Sequence, residues 1–445
     1  MKKSKYKIKL KIPKQIHQQM LNDLRRSHDF AYERVGFLFT KSKKLNKNEI
    51  LVTASEYIPV EDENYIKDRS VGAKINSFAI EKAMQEILDR NSGCFHVHLH
   101  NHSGTPSPSF TDMKSLPGLI KSFSNYSTEQ VNGMLILSYD SFYAYVNSDD
   151  EKKYTTPELI SVVGYPLNLF YPNLKKSIKS KIYDRQTFLG QSSEFLLENV
   201  KVGIIGYGGG GSHIGQQLAH LGVKNIMIFD DDIVEDTNLN RLIGAWFSDV
   251  KKALLKTSVA KRVIKKLLPE ANVTAVNSRW QQNSELLQTC DIVFGCVDSY
   301  SERQQLEAEC RRYLIPYIDI GMDVHKLENQ SSLITGQVIL SMPGQPCMFC
   351  FDFLDDNKLA KEAAKYGNVG GKPQVVWPNG VLASTAVGIF VDLVTGWTKQ
   401  ENKQIYLSYN GNSGYIKDHM ILEYTNEDCI HYKLIETGKP QFIVL

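Results

Sequence analysis

Four histidines, His96, His98, His100 and His102, alternate with other residues along one short segment. In an extended chain alternate side chains share a face, so the four imidazoles are expected to line one side of a strand. A lone buried histidine is ordinary core, whereas a run of them beside a carboxylate points to a bound metal. The Ser/Pro loop that follows ends in Ser109 and Asp112, one helical turn apart.

A second set lies beyond residue 199. Val200 to Gly211 reads as a strand running into a glycine-rich turn, and Ser212 to Leu221 as the helix after it. Gly206, Gly208, Gly209 and Gly211 let the backbone turn tightly and bring N–H groups and a helix N-terminus against phosphates. Asp230 follows about twenty residues on, where a carboxylate binds ribose hydroxyls. Asn238 and Arg241 stand just beyond the second strand, Lys256 starts the next helix, and Asp298 ends the strand Asp291 to Val297. Hydride transfer to nicotinamide has no use for Arg241, Lys256 and an acidic position facing the phosphates. Expulsion of pyrophosphate from ATP does: the two cations neutralise the leaving charge and Asp298 can hold Mg²⁺.

The run from Gly206 to Ser212, then Asp230 to Arg241, then Lys256, then Cys296-Val297-Asp298 resembles the ThiF/MoeB family, relatives of ubiquitin-activating enzymes, over roughly residues 184 to 430. The resemblance implies ATP- and Mg²⁺-dependent adenylation of the C-terminal carboxylate of a small ubiquitin-like or sulfur-carrier protein ending in Gly. It implies ribose binding by Asp230, phosphate binding by Asn238, Arg241 and Lys256, and magnesium at Asp298. Arg185, in the segment before the first strand, is implied to reach the ATP of a second copy, hence a homodimer. Family members commonly carry two C-x-x-C pairs for structural zinc. Here Cys347 and Cys350 form one pair and Cys429 with His431 stands for the other, an acceptable Cys₃His set with an unusual second spacing. Cys290, Cys296 and Cys310 read as core, so thioester formation is not expected.

The histidine segment resembles the JAB/MPN (JAMM) metalloprotease signature over about residues 5 to 147, with Glu33-Arg34-Val35-Gly36-Phe37-Leu38 matching its upstream glutamate element. The resemblance implies catalytic zinc on His100, His102 and Asp112, with Glu33 deprotonating a bound water and Ser109 stabilising the oxyanion. The proline usual after the second histidine is absent, so Asp112 follows His102 by ten residues; the alternative register uses His98 and His100. Together the two resemblances imply an enzyme that matures or deconjugates a carrier and activates its C-terminus, then passes the acyl group to a conjugating enzyme or sulfur donor. The alternative is adenylation of a peptide or a tRNA base beside a regulatory or inactive JAB domain. A RadC-like nucleic-acid module is less favoured, because aromatic and basic residues do not interleave around the histidines.

The elements that must position these residues fall into two rhythms. Residues 1–150 read as an α+β domain: strands at Tyr6 to Leu10, Gly36 to Phe39, Ile50 to Val52, Cys94 to His100, Met134 to Ser138 and Phe142 to Val146, with helices at Lys14 to Arg26 and near Ser77 to Arg90. Residues 151–198 read as a lysine-rich helical bridge, and 199–445 as a doubly wound, Rossmann-like α/β domain. The chain has 445 residues with 52 Lys+Arg against 49 Asp+Glu, so a formal charge of +3 argues against a broadly basic surface and leaves room only for a local patch. Seven cysteines and no secretory leader are read as reduced thiols in a cytoplasm. The apolar run Val381 to Trp397 is interrupted by Ser384, Thr385, Asp392 and Thr395 and is expected to be a buried helix, not a membrane span.

Overall fold

The computed structural model describes residues 6–27, 29–30, 32–68, 70–147, 154–174, 180–326, 331–364, 373–425, 429–434 and 437. They divide into two units, Met1–Val163 with Asn168–Lys175 and Lys433–Lys439, and Gly164–Leu167 with Lys176–Tyr432 and Pro440–Leu445.

The first unit is built from β1 (Lys7–Pro13), α1 (Lys14–Leu24), β2 (Val35–Asn46), β3 (Glu49–Pro59), α2 (Ser77–Arg90), β4 (Gly93–Leu99), α3 (Phe110–Tyr126), β5 (Gly133–Leu137), β6 (Phe142–Asn147), β7 (Tyr154–Thr155), β8 (Leu159–Val163) and β9 (Asn168–Phe170). The nine strands form one sheet in the order β7-β6-β5-β4-β2-β3-β1-β8-β9. Only the β1–β3, β1–β8 and β4–β5 pairs are parallel. β4 is an inner strand, and its side chains alternate strictly. Phe95, Val97 and Leu99 join the core that also holds Ile16 and Met20 of α1. Cys94 joins the opposite core with Phe37, Ala83 of α2 and Phe123 of α3. The histidines of β4 therefore share the α2/α3 face, at an inner strand's C-terminal end.

Two expectations change here. Residues 41–46, which lie between the strands expected at Gly36 to Phe39 and Ile50 to Val52, continue β2, because Lys41, Ser42, Lys43 and Lys44 pair in register with Thr53 to Ile50. The turn is confined to Asn46–Asn48, where the Asn48 N–H donates to Asn46 Oδ1 at 2.9 Å. The expected helical bridge opens with strands and turns helical only from Lys181. Leu159–Val163 is rich in β-branched residues, is buried throughout, and pairs in parallel with β1. Within residues 151–198, 151–153 and 175–179 lie outside the described residues. The remainder holds a 3₁₀ segment at Lys181–Leu189 and α4 (Ser193–Asn199).

The second unit continues with β10 (Lys201–Ile205), α5 (Gly209–His220), β11 (Asn225–Phe229), α6 (Phe247–Lys251), α7 (Lys256–Leu267), β12 (Asn272–Val276), α8 (Ser284–Leu287), β13 (Ile292–Gly295), α9 (Tyr300–Arg312), β14 (Tyr317–His325), β15 (Leu333–Ser341), α10 (Asp356–Ala364), α11 (Val376–Thr395), β16 (Ile405–Asn410) and β17 (Tyr415–Asp418). The sheet order is β12-β11-β10-β13-β14-β15-β16-β17. The strands run parallel from β12 to β14 and antiparallel from there on. The strand order reverses between β11 and β13 on either side of β10, which opens a crevice at the carboxyl ends of these strands. α11 begins at Val376, earlier than its apolar run suggests, with Pro378 tolerated in its first turn. Its length and composition alone would let it cross a membrane, yet most of it is buried against α5, β14 and β15.

Candidate active sites

At the β10–α5 turn the backbone closes on itself. Gly206 has φ +84°, and a Cβ there would stand 2.6 Å from the Cys296 carbonyl oxygen. A Cβ on Gly211 would stand 2.1 Å from the Gly206 carbonyl oxygen. Gly208 takes the N-cap position and Gly209 opens α5, whose first turn has no side-chain cap. The N-terminal N–H groups of this twelve-residue helix thus keep their capacity for an anion.

Asp230 anchors the crevice floor. Its Oδ2 accepts from the Tyr207 N–H at 2.6 Å and its Oδ1 from the Asp232 N–H at 2.9 Å. Burial raises its carboxyl above the ordinary range, against the pull of Lys256 and those two N–H donors. Lys256 is buried at the first position of α7, with Nζ 2.6 Å from Asp232 Oδ2. Asp232, which the sequence reading passes over inside the Asp230-Asp231-Asp232 run, is therefore the carboxylate that holds the lysine here. Buried Asn238 accepts the Glu235 N–H on Oδ1 at 3.1 Å, and its amide N–H groups have no partner among the described residues. Arg241 donates to the Thr237 carbonyl at 2.5 Å and to Asn240 Oδ1 at 3.1 Å. Asp298 is exposed just past β13 and accepts from Gln374 Nε2 at 3.3 Å, while Asn240 Nδ2 donates to the Gln374 carbonyl at 3.2 Å. Gln374 is a contact that the sequence does not announce. Arg185 lies exposed on the 3₁₀ segment, with no ion pair among the described residues.

In the first unit the four histidines have three different fates. His96 is buried core, edge-on to Phe37 at 6.1 Å between ring centroids, and burial pushes it down to about 3. His98 and His100 meet Glu33: one ligand atom from each lies within 4.8 Å of the others. His100 Nε2 is 3.9 Å from Glu33 Oε1 and His98 Nε2 is 3.6 Å from Asp112 Oδ2. His102, expected beside His100 as a ligand, lies outside this grouping. Its N–H donates to the His100 carbonyl at 2.8 Å, a tight turn that ends the alternation, and its exposed ring faces the Ser103 carbonyl.

Asp112 and Ser109 form a capping box at the start of α3: the Ser109 N–H donates to Asp112 Oδ2 at 2.7 Å and the Asp112 N–H to Ser109 Oγ at 3.1 Å. Burial opposes ionisation of Asp112, but His98 and these bonds to Ser109 hold its carboxyl well below the usual range. Burial raises Glu33, opposed by His98 and reinforced by Asp112. Both ring nitrogens of His98 are buried without a hydrogen-bond partner. Unsatisfied imidazole beside two carboxylates and a second imidazole is the donor set of a divalent metal.

Cys347, Cys350, Cys429 and His431 converge although 79 positions separate the middle pair. The Sγ atoms of Cys347 and Cys350 are 3.6 Å apart, those of Cys350 and Cys429 3.8 Å, and His431 Nδ1 is 3.4 Å from both Cys347 and Cys350 Sγ. Tetrahedral Zn–S bonds of about 2.3 Å require sulfur–sulfur separations of about 3.8 Å, so the set fits. Behind it Glu307 Oε1 accepts the Met348 N–H at 2.8 Å, and Arg311 donates to the Gln345 and Pro346 carbonyls at 2.7 and 2.6 Å. These buried contacts hold the Cys347–Cys350 turn in place.

Residues 183–430 match the model of the ThiF family. The chain is 31% identical over 159 residues to the molybdopterin-synthase adenylyltransferase of Haemophilus influenzae, covering 34% of this chain and 63% of that protein. Against the protein of the same name from Escherichia coli it is 30% identical over 180 residues, covering 39% and 68%. The SAMP-activating enzyme E1 of Haloferax volcanii is 27% identical over 207 residues, covering 46% and 72%. The match with the first of these thus spans just under two thirds of that relative. A glycine turn before an uncapped helix, Asp230 and the Asn238, Arg241, Lys256 and Asp298 positions all lie within the matched residues, and the chain belongs to the ThiF family.

Proposed function

We propose that the second unit adenylates the C-terminal carboxylate of a small ubiquitin-like or sulfur-carrier protein at the expense of ATP. The observation that carries this reading is the convergence, on one crevice, of an uncapped helix N-terminus with Asp230, Asn238, Arg241 and Lys256. A carboxylate oxygen of the carrier attacks the α-phosphorus, the bond to the β-phosphate oxygen breaks, and acyl-adenylate and pyrophosphate result. Arg241 and Lys256 leave their present acceptors, the Thr237 carbonyl and Asp232, to neutralise the departing pyrophosphate. Asn238 directs its unpartnered amide protons at the phosphates, and Asp230 receives the ribose hydroxyls on its remaining lone pairs. Magnesium on the exposed Asp298 would shield the phosphate charge. Arg185 of a second copy is assigned to the same ATP, which makes the working form a homodimer. The acyl group then passes to a thiol of a conjugating enzyme or to a sulfur donor, and AMP leaves.

The first unit is proposed to be a JAB/MPN-type metallopeptidase that trims or releases the same carrier. Zinc held by His98, His100 and Asp112 would supply an acidified water. Glu33, against His100 and raised by burial, would be the base that takes a proton from water and hands it to the leaving amine. Ser109 Oγ accepts the Asp112 N–H and so keeps its own O–H to donate to the oxyanion. The Cys347, Cys350, Cys429 and His431 set is assigned to structural zinc.

ATP–pyrophosphate exchange with a panel of small carriers ending in Gly tests the central step. Exchange that needs a carrier and disappears in Lys256→Ala and Asp298→Ala supports carboxylate adenylation. ATP binding without exchange on any carrier would redirect the reading to a peptide or tRNA-base acceptor.

A further inference from the structure

Beneath the Asp298 turn lies a polar group that the adenylation chemistry above leaves unused. Arg303, in the first turn of α9, has a side chain only 7% exposed. Its Nε spans both oxygens of the wholly buried Asp319 of β14 at 3.0 and 3.2 Å, and the Tyr317 O–H donates to the same carboxylate at 2.7 Å. Asp319 is the register partner of Gly295, three residues before Asp298. Among the described residues neither Nη group of Arg303 has a hydrogen-bond partner. The aromatic rings of Tyr300 and Phe353 lie about the guanidinium, 6.0 and 5.9 Å from Cζ to their centroids. On β15, opposite Gly321, Gln337 sends Nε2 towards Asp319 Oδ2 at 3.3 Å. Arg303 Nη2 and Gln337 Nε2 close over Gly321: a Cβ on that glycine would stand 2.6 and 2.3 Å from them.

We infer that Arg303 and Gln337 form an acceptor-binding subsite for the acyl chain, receiving a backbone carbonyl oxygen of the last residues of the substrate; this rests on the adenylation reading. Three features select a carbonyl over a phosphate. Asp319 already neutralises Arg303, so what remains is a pair of directed donors without net charge. Gln337 adds a neutral donor beside them. The donors occupy the space over Gly321 that a side chain at that position would fill. With Nε fixed on a buried carboxylate and its Nη donors idle, the guanidinium is already oriented to receive a ligand oxygen. Neither residue touches the transferred phosphorus; both position the chain that bears the attacking carboxylate.

The test uses the full chain and two non-reactive probes, 5′-O-(N-glycylglycylsulfamoyl)adenosine, which carries a two-residue acyl chain, and 5′-O-sulfamoyladenosine, which carries none. Calorimetric affinities for both are compared among the unaltered protein, Arg303→Lys, which keeps a cation for Asp319, and Gln337→Ala, which leaves Asp319 its bonds from Arg303 and Tyr317. The expected result is a preference for the glycylglycyl probe that falls on the order of tenfold in each variant, while affinity for sulfamoyladenosine stays within about twofold. A preference that survives both substitutions overturns the subsite and leaves adenylation standing. Failure of the unaltered protein to bind either probe overturns both readings. Should Arg303→Lys not fold, Gln337→Ala decides the question alone.

Discussion

A Cβ on Gly72 would stand 2.3 Å from Oε2 of Glu33, so the Glu33 carboxylate rests against bare backbone. The same glycine's carbonyl accepts the N–H groups of Tyr32 and Glu33 at 3.0 and 2.9 Å. Gly72 thus fixes the glutamate's backbone and leaves room for its head. Gly72→Ala should displace the carboxylate while sparing the fold, because the obstructed atom is the end of a flexible side chain. Cleavage of a carrier bearing a C-terminal extension should fall about tenfold or more, with Tm little changed; Glu33→Gln should fall by about 10²- to 10⁴-fold. An alanine variant as active as the parent would remove Glu33 from the role of base.

The two histidine registers make opposite predictions for metal content. His98 is buried with idle ring nitrogens, whereas His102 is exposed and turned away. His98→Ala should lower zinc, measured by elemental mass spectrometry on the purified chain, by one ion per chain. His102→Ala should retain it. The reverse pattern would restore the register in which His102 is a ligand.

These differences show how far the sequence reaches. The crevice proposed for the nucleotide is legible because its glycines, Asp230, Arg241 and Lys256 follow one another along the chain at the carboxyl ends of the strands. Alternation states which face a strand residue takes but not where the strand stops. A single turn N–H therefore carries His102 off the strand's face, and His96 is indistinguishable from a ligand until Phe37 is seen against it. Gly72 carries no signal at all, since only the fold brings its loop to Glu33. Leu159–Val163 is hidden by the lysines that follow it, although its own composition is that of a strand. The Arg303–Gln337 pair depends on β14–β15 register, which no local pattern encodes.

The cysteine cluster joins the Cys347–Cys350 turn to a segment far along the chain, so its metal should act as a cross-link. Chelation should lower Tm and expose Cys347, Cys350 and Cys429 to a thiol reagent, while the buried Cys290 and Cys310 stay protected. Cys350→Ser should reproduce the loss of one zinc ion independently of His98→Ala. Equal thiol reactivity before and after chelation would show that no metal is held there.

Asp249 and Arg262 make a two-pronged ion pair: Nη1 and Nη2 donate to the two carboxylate oxygens at 2.8 and 2.7 Å, and Asp249 Oδ2 also accepts the Trp246 N–H at 2.9 Å. Arg262 lies over the Trp246 ring, 4.2 Å from its centroid. The bonds from Arg262 hold the Asp249 carboxyl below its ordinary range despite burial. A carboxyl with a depressed folded pKa stabilises fully above its unfolded value of about 3.9 and loses that contribution as pH falls through the lower folded value. At neutral pH, Asp249→Asn should therefore cost about 1–3 kcal/mol in denaturant unfolding. The gap between parent and variant should close below about pH 4, as the parent's carboxyl gains its proton. A gap that stays constant down to acid pH would assign the cost to the amide's altered hydrogen bonds and not to the charge on Asp249.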